Sequence, residues 1–453
     1  MADRGRVGVG RVRNLALFAL LMGAPLAQPL AQTQTAGGFE RLGIRTETWN
    51  LFPSIGLSAQ YNDNVFAVPD DEEPLEEDII FVVSPRVVAE ANTQRHALAV
   101  SAGASIGRYV EQTDQNFNDF DVGVSGRWDA SRTFDIAASF NFAQSREDQT
   151  DPDRTLDDQL RTETTTIDNF SGNLVASKDW QRWFARARTG VVRRTYTELD
   201  ATIVDPTTGD PTGEVNVNAD RDLYRIPFGV RVGYDVDRDY NVFFDVNYTV
   251  VRFDENEQNL TFAPFLEVGP GGGLVVVNRV VDVRAGDDQD FESLSFRIGT
   301  GVDFDRLVSG DFAVGVDRRF GDQEGDDLGF SFDANLDWTV SPRTNVNFTG
   351  SQGFEPATGD DAGGSSLRTR LGVDVSYALT RQVSLGGNVA YLRDDRSGGG
   401  RTDDDVTTGV SASYAINRYA SVSAGYEFRR RTSTDADREF TRNLVFLTLT
   451  GQY

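Results

Sequence analysis

The sequence predicts an all-β fold, a transmembrane antiparallel β-barrel of about 18 strands with 16 as the alternative count. Three observations carry this reading. From Leu51 onward, runs of about 10 to 14 residues alternate apolar and polar side chains. The connections between runs are alternately short and long. The last run ends on an aromatic residue, Tyr453.

The first 31 residues have another character. Arg4, Arg6, Arg11 and Arg13 precede an apolar stretch from Leu15 to Ala24, then small residues and glutamines up to Ala31. This pattern reads as a secretory signal peptide, and its core of about 10 apolar residues is half of the roughly 20 a spanning helix needs. Residues 32–50 then form a periplasmic N-terminal segment and residues 51–453 the barrel. Removing the leader, with four Arg and one Asp, takes the formal charge from −26 to −29. So acidic a chain repels nucleic acid, which is excluded as a partner. With no cysteine, the chain has neither disulfides nor thiol chemistry.

The strand period is two. In Leu328–Val340, Leu328, Phe330, Phe332, Ala334, Leu336, Trp338 and Val340 share one face, while Gly329, Ser331, Asp333, Asn335, Asp337 and Thr339 share the other. Leu367–Tyr377, Tyr240–Val250 and Leu294–Phe304 repeat the pattern. Successive strand side chains point to opposite sides, so each run has one apolar and one polar wall. A soluble sandwich alternates too; the sorting of connections separates the two folds. Short connections fall around Thr93, Asp129–Arg132, Asp179–Arg182, Asp237–Asp239, Asp305–Ser309, Ser341–Arg343, Thr380–Arg381 and Asn417–Arg418. Long ones fall at Asp63–Glu77, Glu111–Asn116, Arg146–Glu163, Glu198–Asp222, Glu255–Asp290, Gly321–Asp327, Glu355–Ser365, Asp395–Asp404 and Arg431–Glu439. Tight periplasmic turns opposite long extracellular loops are the topology of a membrane barrel. The stretch Gly273–Arg284 has strand character inside the longest loop and reads as a hairpin arm outside the membrane. Pro53 interrupts the first strand near its start, where a missing N–H is tolerated.

Trp128, Trp180, Trp183, Tyr240, Trp338, Tyr377, Tyr414 and Tyr419 cluster near the short turns, as an interfacial aromatic girdle would. In the closing strand Val445, Leu447, Leu449, Gly451 and Tyr453 share one face. That face resembles the carboxy-terminal signal read by the outer-membrane barrel-assembly machinery, with Tyr in place of the more usual Phe.

If the apolar sets face lipid, Arg186, Arg188, Arg225, Arg231, Arg297, Arg368 and Arg370 face the lumen, as do Asp235, Asp245, Asp303, Asp317, Asp333, Asp337 and Asp374. Opposed rows of both signs either set up a transverse field for polar solutes or pair to brace the wall. Acidic clusters at Asp70–Glu73, Asp287–Asp290 and Asp403–Asp405 offer oxygen ligands for divalent cations; without an EF-hand pattern they read as solvated loop charge, and no metal site or cofactor is expected. The single histidine, His96, lies about 16 Å along the strand from Ser101 and about 30 Å from Ser105, at about 3.3 Å rise per residue. No His-based catalytic site follows, and none is assigned.

The segment Leu51–Phe66, LFPSIGLSAQYNDNVF, resembles the opening strand of a family of outer-membrane β-barrel porins widespread in proteobacteria. Pro53 and the run from Tyr61 to Phe66 carry the likeness; Arg-containing short turns such as Ser341-Pro342-Arg343 fit it, and it extends over essentially the whole mature chain. The barrel reading places the chain in a Gram-negative outer membrane, and an 18-strand wall with a polar lumen is wide enough for a porin-like channel that passes small hydrophilic solutes. Some members are similar to barrels encoded near exopolysaccharide genes, which implies a route for exported polysaccharide and export components as partners. The other expected partners are membrane lipid and lipopolysaccharide; oligomeric state is left open. The alternative is a barrel plugged by its 36-residue Glu255–Asp290 loop and serving as a surface scaffold.

Overall fold

The computed structural model describes residues 42–453 apart from 70–74, 94, 155–163, 255–257, 269–273, 286–288, 305–306, 322–325, 359–363 and 397–399. The expected leader lies outside the described residues. Eighteen long strands form one closed antiparallel sheet. In chain order they are β1 Asn50–Asn62, β2 Asp78–Asn92, β3 His96–Tyr109, β4 Phe117–Ser131, β5 Phe134–Arg146, β6 Thr166–Asp179, β7 Trp183–Tyr196, β8 Leu223–Asp235 and β9 Tyr240–Phe253. The second half runs β10 Phe291–Phe304, β11 Val308–Gly321, β12 Asp327–Ser341, β13 Thr344–Pro356, β14 Ser365–Ala378, β15 Val383–Arg396, β16 Thr402–Asn417, β17 Ala420–Ser433 and β18 Phe440–Gln452. No helix among the described residues is long and apolar enough to cross a membrane.

The alternation decides which side of the wall each residue takes. Leu328, Phe330, Trp338 and Val340 of β12 are exposed on the outer face, whereas Ser331 between them is buried inside. Val445, Leu447 and Leu449 of β18 are likewise exposed outward. All eight expected girdle aromatics are exposed as well, and Tyr419 stacks on Tyr453 with ring centroids 5.9 Å apart. An apolar exterior with aromatics near the short turns is what a hydrocarbon surround requires.

The barrel closes where β1 pairs with β18, with Leu57 opposite Leu449, Ala59 opposite Leu447 and Tyr61 opposite Val445. The backbone N–H of Tyr453 donates to the Pro53 carbonyl at 3.1 Å, so the proline sits where the strand needs an acceptor. The Asn-Asp-Asn run clasps this seam. The Asp63 carboxylate accepts from the backbone N–H and side-chain amide of Asn443 at 2.7 and 2.6 Å. The Asn64 amide donates to the carbonyls of Thr441 and Val68 at 3.1 and 2.9 Å. It also holds the loop in which Ala67 takes φ 51°, a left-handed backbone rare outside glycine.

The expected hairpin arm is present: Gln258–Val268 pairs with Leu274–Ala285 outside the barrel sheet, which fixes the count at 18. A second hairpin, Asp200–Val204 with Pro211–Asn216, rises from the β7–β8 connection. Ala201, Val217 and Val280 bury against one another, so the hairpins of neighbouring loops share a small core. One boundary differs from expectation. Asp403–Asp405 belongs to the start of β16, because its odd residues find guanidinium partners inside the barrel; the described cluster is paired strand, not solvated loop.

Charge-assisted hydrogen bonds contribute about 1.5–3 kcal/mol each, exposed surface pairs about 0–1. Asp63→Ala is therefore expected to lower stability by about 2–3 kcal/mol, read as a lower temperature at which the folded band on a semi-native gel converts to the unfolded one. Asp326→Ala, removing a half-exposed partner of Arg318, is expected to leave that temperature nearly unchanged.

Candidate pore constriction

Two charged clusters occupy the inner face. The first braces the wall across β7–β11. Arg231 of β8 pairs with Asp245 of β9 at 2.8 Å and with Asp311 of β11 at 2.9 Å. Arg188 of β7 also reaches Asp245, at 3.0 Å, although β8 lies between them. It does so by crossing Gly229, where an added Cβ would stand 2.4 Å from the Arg188 Nε. The same device recurs on β2–β4, where Arg86 crosses Gly103 to meet Asp121 at 2.8 Å. Below this cluster Phe184, Phe243 and Ala313 pack together, and the Arg231 guanidinium lies 4.0 Å from the centre of the Phe243 ring.

The second cluster lies at the end of the barrel that carries the long connections. There the segment Glu147–Arg154, which leaves β5, folds inward. Its first turn is set by Asp148, whose carboxylate accepts from the Thr150 N–H and hydroxyl at 2.8 and 2.5 Å; Asp151 accepts from the Asp153 N–H at 3.0 Å in a second such turn. Its base is pinned by the Glu147 N–H to the Thr165 carbonyl at 2.8 Å. The tip meets a ring of arginines. Asp153 pairs with Arg368 of β14 at 2.5 Å and with Arg396 of β15 at 2.7 Å, while Asp394 holds the same two guanidiniums from behind. The Pro152 carbonyl accepts from Arg396 at 2.6 Å and from Arg401 at 2.9 Å. The Thr150 carbonyl accepts from Arg429 and Arg431 of β17 at 3.0 and 2.7 Å, both of which also pair with Asp405. Arg438 donates to the Arg154 carbonyl at 3.0 Å, Arg442 of β18 faces Asp148 at 3.6 Å, and Arg221 from the β7–β8 connection pairs with Glu147.

In strand order β14 and β15 stand half-way round the circle from β5 and β6. The segment therefore crosses the lumen and joins opposite walls. Burial pushes the carboxyl of Asp148 up, but Arg442, Arg429 and the Thr150 hydrogen bonds outweigh it and hold that group well below the usual carboxylate range. Asp153 is likewise lowered: burial opposes, Arg368 and Arg396 prevail. Asp151 goes the other way, raised by burial and by the neighbouring charges of Asp153 and Glu147.

Of the residues assigned to the lumen from the sequence, Arg188, Arg231 and Asp245 come together in the wall cluster, and Arg368 joins the constriction. Arg370 makes a two-pronged pair with Glu355 at 2.6 and 2.8 Å. The Arg186 guanidinium lies 5.3 Å from the centre of the Phe184 ring, and Asp337 accepts from the Asn347 amide at 2.8 Å. Arg297 and Asp317 are buried on the inner face. Arg225 and Asp333 take inward positions in the alternation of β8 and β12. Asp235, Asp303 and Asp374 sit towards the short-turn end and stand apart from both clusters. Arg396, Arg429, Arg431 and Arg442 and the acids of Glu147–Arg154 did not stand out in the sequence. A usable signal was there: the ends of β14, β15, β17 and β18 near the long connections all carry inward arginines, and one long loop opens with the acidic run Glu147-Asp148 followed by Asp151 and Asp153. Among the described residues no group of three or more His, Cys, Asp or Glu side chains could hold a metal; Asp70–Glu73 and, of Asp287–Asp290, the first two residues lie outside them.

A closed 18-strand barrel with an apolar, aromatic-girdled exterior and a charged interior defines an outer-membrane porin-type protein. The chain belongs to the family described as Putative beta-barrel porin 2, which it matches over residues 37–453. Curated protein sequences include no significant match. Among solved structures it is similar to the copper transporter OprC (12% identity, covering 92% of this chain and 83% of that one, TM-score 0.44). It is also similar to a mutant of the ferric enterobactin receptor PfeA of Pseudomonas aeruginosa (8%, 89% and 80%, 0.47) and to the siderophore receptor PirA of Acinetobacter baumannii (8%, 88% and 80%, 0.44).

Gly229→Val is expected to push Arg188 off Asp245 and lower stability by about 1–3 kcal/mol, read as a lower unfolding midpoint, while Gly56→Ala, whose new Cβ would meet its nearest atom at 3.7 Å, leaves it unchanged. The docked segment has a pH signature. Carboxyls held below their ordinary 3.8 stabilise docking fully above that value and lose the contribution as pH falls through the lowered one. Asp151, being raised, opposes docking at neutral pH and stops opposing it on protonation. Proteolysis of Glu147–Arg154 is thus expected to stay slow from pH 7 to about pH 4 and to speed up only below it, and Asp151→Asn is expected to slow it further at pH 7.

Proposed function

We propose that this porin is a channel for small hydrophilic solutes whose resting state is closed at the outer mouth by Glu147–Arg154. One observation carries the reading: Asp153 is bonded to Arg368 and Arg396 on the wall opposite the strands that launch it. Barrels of 16 to 18 strands enclose an aqueous lumen, so a closed mouth needs a piece of chain laid across it, and this segment lies there. The charged inner face supports polar cargo, and the role is transport without a catalytic step. The alternative, a barrel plugged for a structural purpose, would need its plug fixed. The described part of Glu255–Asp290 packs on the neighbouring hairpin, so the constriction is the segment that distinguishes the two readings.

Removing one partner of a buried ion pair costs about 3–5 kcal/mol. In planar bilayers the wild-type protein is expected to conduct rarely, and Asp148→Asn with Asp153→Asn to conduct at least tenfold more of the time. Variants that fold, as judged by the heat shift on gels, yet stay silent would sink the channel reading in favour of a fixed plug.

A further inference from the structure

The docked segment is an acidic strand of chain seated in a basic mouth, and its contacts describe a second occupant. Eight guanidiniums take part. The wall supplies Asp394, Asp403 and Asp405, with Glu355, Glu427 and Asp435 at its edge, so without the segment guanidiniums outnumber acids and the ring is positive. The Nε groups of Arg221, Arg396 and Arg442 are buried and have no acceptor among the described residues even when the segment is docked. What the segment offers in return is mixed. The adjacent carboxylates of Glu147 and Asp148 and the later one of Asp153 are joined by an irregular backbone that adds neutral oxygens, the carbonyls of Thr150, Pro152 and Arg154. A polyphosphate or nucleic acid presents tetrahedral phosphates in place of the planar carboxylates that sit on this ring. A carboxylated saccharide presents one carboxylate per acidic sugar, separated by neutral hydroxyl and ring oxygens, which is the pattern these arginines already hold.

Resting on the closed-channel reading, we propose that the arginine ring is a binding site for an anionic, carboxylate-bearing oligosaccharide, which Glu147–Arg154 imitates and which opens the channel by displacing it. Two-pronged recognition of carboxylates by guanidinium suits this exchange. A ligand that binds only the undocked state draws the population towards it, and its apparent affinity is reduced by the fraction of time the segment is docked.

The test uses the full-length protein in planar bilayers, with polygalacturonate fragments added to the side of the long connections and equal-length dextran as the neutral comparison. Polygalacturonate is expected to act at a concentration at least tenfold lower than dextran. In the Asp148→Asn, Asp153→Asn variant its Kd, measured by titration of a fluorescent fragment, is expected to fall at least tenfold because the competitor has been weakened. Arg429→Lys with Arg431→Lys, which keeps the charge but loses the fork, is expected to raise it at least tenfold. Fragments that bind neither wild type nor a conducting variant would overturn the saccharide assignment while leaving the closed channel standing; a variant that folds and never conducts would overturn the channel reading itself. Tighter binding of polyphosphate than of polygalacturonate would also overturn the assignment.

Discussion

A strand in hydrocarbon cannot leave its peptide groups unpaired, since each orphaned N–H or C=O there costs several kcal/mol. The eighteen strands therefore exist as a membrane structure because β1 bonds to β18, and everything inside the wall inherits its position from that register. The chain spends side chains on the join. Asp63 and Asn64 reach across to Asn443 and Thr441, some 380 residues away, at the place where the two sheet edges would otherwise be open. Open edges are where sheets pair with the wrong partner, so the Asn-Asp-Asn run has a physical reason independent of any solute.

Once the wall is closed, period-two alternation delivers apolar residues outward and charged residues inward. Inward charge is costly unless paired, and the chain pairs it at two heights by two routes. In the β7–β11 wall the partners are close in space, and where Arg188 and Asp245 are separated by one strand Gly229 lets the long arginine lie flat across it. At the mouth the partners lie on opposite walls, and no side chain spans that gap. Main chain is brought instead, with its carbonyls used as acceptors alongside three carboxylates.

Much of this was legible in the sequence. Alternation along Leu328–Val340 told inside from outside, and loop lengths told one end from the other, because both are local properties set by backbone geometry. The hairpin arm near Gly273–Arg284 showed through for the same reason. The constriction did not. Asp153 and Arg368 are 215 residues apart, Thr150 and Arg429 are 279, and nothing in the spacing of either segment encodes the other. Asp403–Asp405 looked like solvated loop charge because its partners, Arg429 and Arg431, lie a strand away and had no visible purpose until the sheet was closed. The glycine crossings were likewise invisible: Gly229 reads as a weak point in a strand until Arg188 is seen lying over it.

The mouth also differs from the wall in how firmly it is held. Asp245 has two arginines and Asp311 stands beyond, all on hydrogen-bonded strands, so opening that cluster means breaking the sheet. Many of the contacts that hold Glu147–Arg154 are ones the wall already makes in part: Asp394 pairs with Arg368 and Arg396, and Asp405 with Arg429 and Arg431, whereas the pair of Arg221 with Glu147 is lost with the segment. Removing the segment thus leaves Arg368, Arg396, Arg429 and Arg431 paired with wall acids and hydrated, which is a far smaller cost than stranding buried charge. Within the segment, Asp151 works against docking through the burial of its carboxyl and its repulsion with Asp153 and Glu147. A cross-lumen bridge built from replaceable contacts, with one member opposing it, has the energetics of a reversible closure.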